Sequence, residues 1–183
     1  MRAGDPDGEA SDRALIAQWQ AGDERAASLL VARHAPALTR YAVSLGVRDD
    51  VEELVQDTFV RAFGSLDGFR GDSSFLTWLF TIERRLMLDR RRTARRGGRG
   101  VDLTEEHVAS EHTALDGVVA VETERRVRGA VERLTPTQRE VFTLRVNQGL
   151  SYRDIAELVG TTEGAARVHY HNALRKVKEL LDD

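Results

Sequence analysis

The feature that most constrains this chain is a run near its C-terminus, residues 135–181, in which three helical hydrophobic patterns are separated by two glycines. Thr135 can N-cap the first helix, Pro136 fits its opening position, and Gln138 completes a capping-box spacing. Val141, Phe142, Leu144 and Val146 give its apolar side, and Gly149 supplies a left-handed stop. Ser151 can cap a short second helix with Ile155, Ala156, Leu158 and Val159 inward and Gly160 at its end. Thr161 or Thr162 opens the third. Two short helices joined by a glycine-containing turn form the helix-turn-helix pattern.

At about 100° per residue, Ala166, Tyr170, Ala173, Val177 and Leu180 or Leu181 share one stripe of the third helix. Gly164, Arg167, Val168, His171, Asn172 and Arg175 fall roughly opposite. Guanidinium, amide, imidazole and small apolar groups on an outer face can read base edges in a major groove. A plain solvated helix is the alternative, and such a face is more often filled with Glu and Lys. Gly164 weakens the first turn but lets a partner approach the backbone closely.

Upstream, helical periodicity continues. Asp12 is expected to cap a short helix with Leu15 and Trp19 inward, ended by Gly22, after a frayed polar start. Asp23 caps a longer pattern through Ala27, Leu30, Val31, His34, Leu38, Tyr41, Ala42 and Leu45, which Pro36 is expected to kink or split. His34, on the apolar stripe, reads as a packed and hydrogen-bonded histidine rather than a ligand. Asp50 with Glu53 gives a further cap and an acidic first turn. Val51, Leu54, Val55, Thr58, Phe59, Ala62, Phe63 and Leu66 then form a nearly unbroken stripe. Its reverse face carries Glu52, Glu53, Gln56, Asp57, Val60 and Arg61, either a solvated surface or a docking face for a basic partner.

Gly68 and Gly71 mark a loop, after which Asp72 or Ser73 can cap a helix with Phe75, Leu79, Ile82 and Leu86 inward and Trp78 flanking. Between Arg84 and Arg99 there are eight arginines in sixteen positions, more than a helix end requires. An aromatic, hydroxyl-bearing loop followed by Thr and Arg can hold phosphates and pocket an unpaired base. From Val101 to Glu124 the balance reverses, with seven acidic residues and no Lys or Arg. The net charge of −3 averages over this division. Residues 97–119 therefore read as a flexible acidic linker, and a helical pattern resumes near Ala120. His107 and His112 within it have the wrong spacing for one helical face, so no metal site is expected.

The fold class expected is all-α: two small helical domains, 23–96 and 120–183, behind a polar segment with a short helix at 1–22, the second domain a helix-turn-helix. There is no cysteine, which excludes a disulfide scaffold and thiol catalysis. No apolar run approaches the ~18 residues of a membrane span, so no membrane insertion and a cytoplasmic location are expected. No nucleophile–base pair or phosphate loop is present. Catalytic residues and cofactors: none are expected.

Three blocks, DDVEELVQDTFVRAF, FRGDSSFLTWLFTIERRLMLDRRR and LTPTQREVFTLRVNQGLSYRDIAELVGTTEGAARVHYHNALRKV, resemble the extracytoplasmic-function (ECF) group of bacterial sigma factors, in the sigma-70 family. The likeness covers about residues 20–96 and 120–181. It implies an RNA polymerase sigma factor with a region-two domain that binds core polymerase and opens the −10 element. It also implies a region-four domain that reads the −35 element and meets the polymerase flap, and an acidic linker along the RNA path. Glu53, Gln56, Asp57, Val60 and Arg61 would dock on the clamp helices of the largest polymerase subunit. Phe69, Arg70, Asp72, Ser73 and Ser74 would hold a flipped base, with Thr77, Trp78, Thr81, Arg84 and Arg85 beside them on −10 DNA. Arg167, Val168, His171, Asn172 and Arg175 would read the −35 element, with Arg145 contacting DNA before the motif.

An anti-sigma partner is implied too. Glu83 and Arg85 stand where the family usually has a small residue and Asn, and Arg167-Val168-His169 replaces the usual Lys/Arg-Ser-Arg run. Both departures predict an unusual promoter, with Val168 placed to meet a thymine methyl. The rival reading is a stand-alone helix-turn-helix regulator, which would bind duplex operator without polymerase.

Overall fold

The computed structural model describes residues 6–96 and 118–182. Eight α-helices make up these segments: α1 (Pro6–Gln20), α2 (Glu24–Ser44), α3 (Val51–Gly64), α4 (Phe75–Arg96), α5 (Val118–Glu132), α6 (Pro136–Val146), α7 (Tyr152–Val159) and α8 (Glu163–Asp182). A 3₁₀ turn at Leu66–Gly68 follows α3. No strand occurs among the described residues, and no described helix is long and apolar enough to cross a membrane.

The helices form two groups. In the first, α2 packs on α1, α3 and α4, and α3 lies along α4; in the second, α5, α6 and α7 pack on α8. The apolar stripes read from periodicity are buried: Leu30, Leu38 and Tyr41 of α2, Leu54 and Phe59 of α3, and Phe75, Leu79 and Leu86 of α4. Leu76 and Phe80 are buried as well, because α4 is covered on a second side. That cover comes partly from the other group. α2 touches α6 and α4 touches α7, and one apolar cluster runs from Leu38, Tyr41 and Phe80 to Val141, Leu144, Leu150 and Ile155. In this structure the two helical regions share a core. A smaller cluster of Ala130, Leu134, Ala173 and Val177 fastens α5 to α8.

Several local expectations are corrected. Asp12 does not cap α1, which already begins at Pro6. Asp12 is instead buried within it, where its Oδ1 accepts from Arg33 Nη1 at 2.6 Å and its Oδ2 lies 3.0 Å from His34 Nε2. His34 is fully buried, edge-on to Phe75 at 5.5 Å, but neither ring nitrogen has the geometry of a hydrogen bond. Pro36 does not split α2, which is helical from end to end. The missing N–H deprives only the Ala32 carbonyl of its helical donor, and burial of Ala37, Leu38 and Tyr41 holds the following turns in place. Asp50 makes no side-chain cap; it takes a left-handed turn (φ 58°) into α3. The cap of α4 is Ser74, not Asp72 or Ser73, since Ser74 Oγ accepts from Thr77 N at 3.1 Å. The linker expected at 97–119 lies outside the described residues, except that α5 already starts at Val118.

Candidate nucleic-acid interface

The helix-turn-helix is assembled by the local chemistry its sequence implies. Thr135 Oγ1 accepts from Gln138 N and Gln138 Oε1 from Thr135 N, a complete capping box. Ser151 Oγ accepts from Asp154 N at 3.1 Å to start α7. Gly160 ends it in a left-handed conformation (φ 77°). Thr162 Oγ1 then accepts from Ala165 N to start α8. Ala166, Ala173 and Val177 are buried, so α8 is fixed in rotation and turns Arg167, Val168, His171 and Arg175 to solvent, with Asn172 half-buried at the edge. Val168 is 58% exposed. Arg167 is held by Glu163 at 2.9 Å, and Arg175 reaches Asn172 Oδ1 at 3.4 Å.

Arg145 comes to the same surface from the end of α6. Its Nη1 donates to the Leu150 carbonyl at 2.7 Å, and its guanidinium lies 4.8 Å from the Tyr152 ring centre. The Arg167 guanidinium lies 5.2 Å from that same ring. Tyr152, which the sequence reading passed over, thus brings together two candidate residues that are 22 positions apart in the chain.

Around the loop before α4, Phe69 packs 5.5 Å from Phe75 and 5.2 Å from Trp78, ring centre to ring centre. Arg70 and Asp72 are exposed, Ser73 and Ser74 half-buried, and Gly71 takes a left-handed turn at φ 75°. Thr77 is buried, its hydroxyl 2.9 Å from Ser74 Oγ, so it serves the helix start rather than the surface. Thr81 is half-buried and donates to the Thr77 carbonyl. Arg85 is exposed.

Arg84 does not stand free beside them. Its Nε donates to Glu140 Oε1 of α6 at 2.7 Å, and the Tyr41 hydroxyl donates to the same oxygen at 2.7 Å. Burial, then the charge and hydrogen bond of Glu140, push the Tyr41 hydroxyl well above its ordinary pKa. Burial works against the Arg84 charge, but the Glu140 hydrogen bond and charge outweigh it and raise the guanidinium's pKa. Next to this triad, both Glu83 oxygens are buried without a partner, and burial alone pushes that carboxyl up to about 9. Glu83 is therefore neutral at pH 7.

On α3, Glu53, Gln56, Val60 and Arg61 are exposed and Asp57 is half-buried. Val60, at 71% exposure, is the most exposed of the large apolar side chains described. Arg90 of α4 bridges Glu53 (3.0 Å) and Asp57 (2.7 Å), an internal cation that sequence reading did not pair with them. Tyr41, Glu140 and Arg90 were also missed. Glu83 and Glu140 did carry a readable signal: each is a carboxylate on the buried stripe of its helix, beside Ile82 and Leu86 or beside Val141 and Leu144.

The family described as Sigma-70 region 2 matches residues 30–97, and Sigma-70, region 4 matches residues 124–177. The chain is 31% identical to the ECF RNA polymerase sigma-E factor of Haemophilus influenzae, over 93% of this chain and 95% of that one. It is 36% identical to the RNA polymerase sigma factor CnrH of Cupriavidus metallidurans, over 95% and 96%. Among solved structures, it resembles RpoE of Bartonella quintana in complex with the anti-sigma factor NepR, with a TM-score of 0.68 and 32% identity over 84% of this chain and 93% of that one. It also resembles CnrH in complex with the cytosolic domain of CnrY, with a TM-score of 0.66 and 33% identity over 94% and 97%.

Proposed function

Because this chain belongs to the extracytoplasmic-function sigma factors of the sigma-70 family, we propose which of its surfaces carry out promoter recognition. The protein binds core RNA polymerase and directs it to promoter DNA, and it is not an enzyme; RNA synthesis belongs to the polymerase. Residues 23–96 are its region-two domain and residues 120–183 its region-four domain, joined by the acidic 97–119 segment. Glu53, Gln56, Asp57, Val60 and Arg61 dock on the clamp helices, and the region-four domain meets the flap.

Phe69, Arg70, Asp72, Ser73 and Ser74 form the base-holding loop, with Trp78, Thr81 and Arg85 beside it. Arg84 joins them once it leaves Glu140. Arg145, Arg167, Val168, His171, Asn172 and Arg175 meet the −35 duplex. The observation that carries this reading is the outer face of α8, where readout side chains stand exposed on a helix whose opposite stripe is buried.

Each contact surface is small, and binding to one polymerase raises the effective concentration of the second DNA site once the first is engaged. The solved relatives from Bartonella quintana and of CnrH hold NepR, an anti-sigma factor, and CnrY respectively. A partner of the anti-sigma class masks the same surfaces here.

The test is run-off transcription with core polymerase on a promoter library, with sequencing of transcript starts. Selective starts that need this chain support the reading. Tight duplex binding without core, and no selective starts with it, would replace it with a stand-alone regulator.

A further inference from the structure

Arginine side chains are long and carry much rotamer entropy. Ordering them before the partner arrives lowers the free energy lost on binding. Arg145 and Arg167 each have one anchor of their own, the Leu150 carbonyl and the Glu163 carboxylate. Either anchor alone fixes one nitrogen and leaves the guanidinium plane free to swing. What the two share is the ring of Tyr152, at 4.8 and 5.2 Å, within the ~6 Å range of cation–π attraction.

The ring is itself held. It meets Tyr170 of α8 edge-on at 5.8 Å, and Tyr170 stacks on Phe142 of α6 at 6.2 Å. Three helices therefore fix one aromatic ring, and two guanidiniums lie over it. Arg167 remains half exposed there (54% of its side chain), available to an incoming acceptor. A guanidinium with an open edge matches closely spaced acceptors, such as guanine O6 and N7 or neighbouring phosphates.

We infer that Tyr152 is a positioning residue for −35 recognition: its ring, clamped by Tyr170, holds the Arg145 and Arg167 guanidiniums together and aims both at the same stretch of duplex. This rests on the −35 reading of those two arginines. Tyr152 touches no base; it acts through them, and its effect belongs in sequence preference more than in folding.

The test uses holoenzyme reconstituted from the full chain and core polymerase, transcribing a library of −35 variants. Tyr152→Phe keeps the ring and is expected to keep the −35 preference profile within about twofold. Tyr152→Leu is expected to flatten preference by about five- to thirtyfold, the size of two exposed cation–π contacts. In the Arg167→Ala background the same change should have a visibly smaller effect, since coupled partners are not additive.

Fluorinated phenylalanines at position 152 drain charge from the ring face without enlarging the side chain much. They should flatten the profile in order of fluorine count, and they serve as the test even if Tyr152→Leu fails to fold. An unchanged profile across the fluorine series, or equal loss in Tyr152→Phe and Tyr152→Leu, overturns the role of the ring. If Arg167→Ala leaves preference untouched, the −35 reading falls and takes the tyrosine's role with it. If Arg167→Ala flattens preference and the ring variants do not, the tyrosine's role alone falls.

Discussion

Glu83 shows how one side chain can bias the whole chain's response to pH. Its folded-state pKa of about 9 lies above the ordinary 4.5, through burial alone. Between those values the folded state keeps a proton that the unfolded chain releases. The contribution of this group to stability is therefore full below pH 4.5 and is lost as pH rises through about 9, at up to ~1.4 kcal/mol per pH unit. Urea unfolding at pH 5, 7 and 9 should show this decline in the wild type. Glu83→Gln, which mimics the protonated form, should remove most of the slope and be the more stable protein at pH 9. Equal slopes would mean that water or a rearranged partner solvates the carboxylate. The sequence contained the clue, a carboxylate on an apolar stripe where a small residue is usual, but not the outcome. Whether such a group finds a cation or stays neutral depends on neighbours contributed by other helices.

At the scale of elements, the parts legible in the sequence were those governed by neighbours in the chain. The capping box at Thr135, the cap at Ser151 and the left-handed stop at Gly160 all formed as their local chemistry dictates. Gly160 permits a clean test, because a Cβ there meets no heavy atom within 4 Å. Gly160→Ala should therefore cost only the backbone conformation, about 1–2 kcal/mol, read as a lower midpoint of thermal unfolding. Expectations failed where several acceptors competed. In the run Asp72-Ser73-Ser74 only the third caps α4, and at Asp50 the backbone turns left-handed with no cap bond at all.

The outer side of α3 was visible as a polar stripe, while its internal bridge to Arg90 was not, since Glu53 and Asp57 lie 37 and 33 residues from Arg90. Val60 separates docking from folding. Being mostly exposed, Val60→Glu should alter stability by less than about 0.5 kcal/mol. If the proposed docking face is right, it should weaken core polymerase binding at least tenfold in an anisotropy competition. Unchanged affinity would move the docking surface elsewhere.

For the molecule as a whole, the contact between the two helical groups sets a condition on function. The −10 and −35 elements are ~25 base pairs apart, or ~85 Å of duplex at ~3.4 Å per pair. A compact chain of this length has a radius of gyration of only ~16 Å. If the two helical groups read the −10 and −35 elements as proposed, then with α2 on α6 and α4 on α7 they cannot engage both at once. Forming the promoter complex must therefore part Tyr41 and Arg84 from Glu140 and expose the apolar surface around Phe80 and Leu150. No periodicity could have announced this contact, because Tyr41 and Glu140 are 99 residues apart and meet only in the folded chain.

Losing the Glu140 carboxylate leaves a buried hydroxyl and a guanidinium without their acceptor, a penalty of about 1–3 kcal/mol that solvent relieves once the groups separate. Glu140→Ala should accordingly shift the free protein toward an open form. Since the chain has no cysteine, dyes on Asp67→Cys and Lys178→Cys, both exposed positions, report the separation by energy transfer. Transfer should fall part-way in Glu140→Ala and further when wild-type chain binds core polymerase. Transfer that stays high in the polymerase complex would mean that the two groups reach promoter DNA without separating, and the size argument would fail.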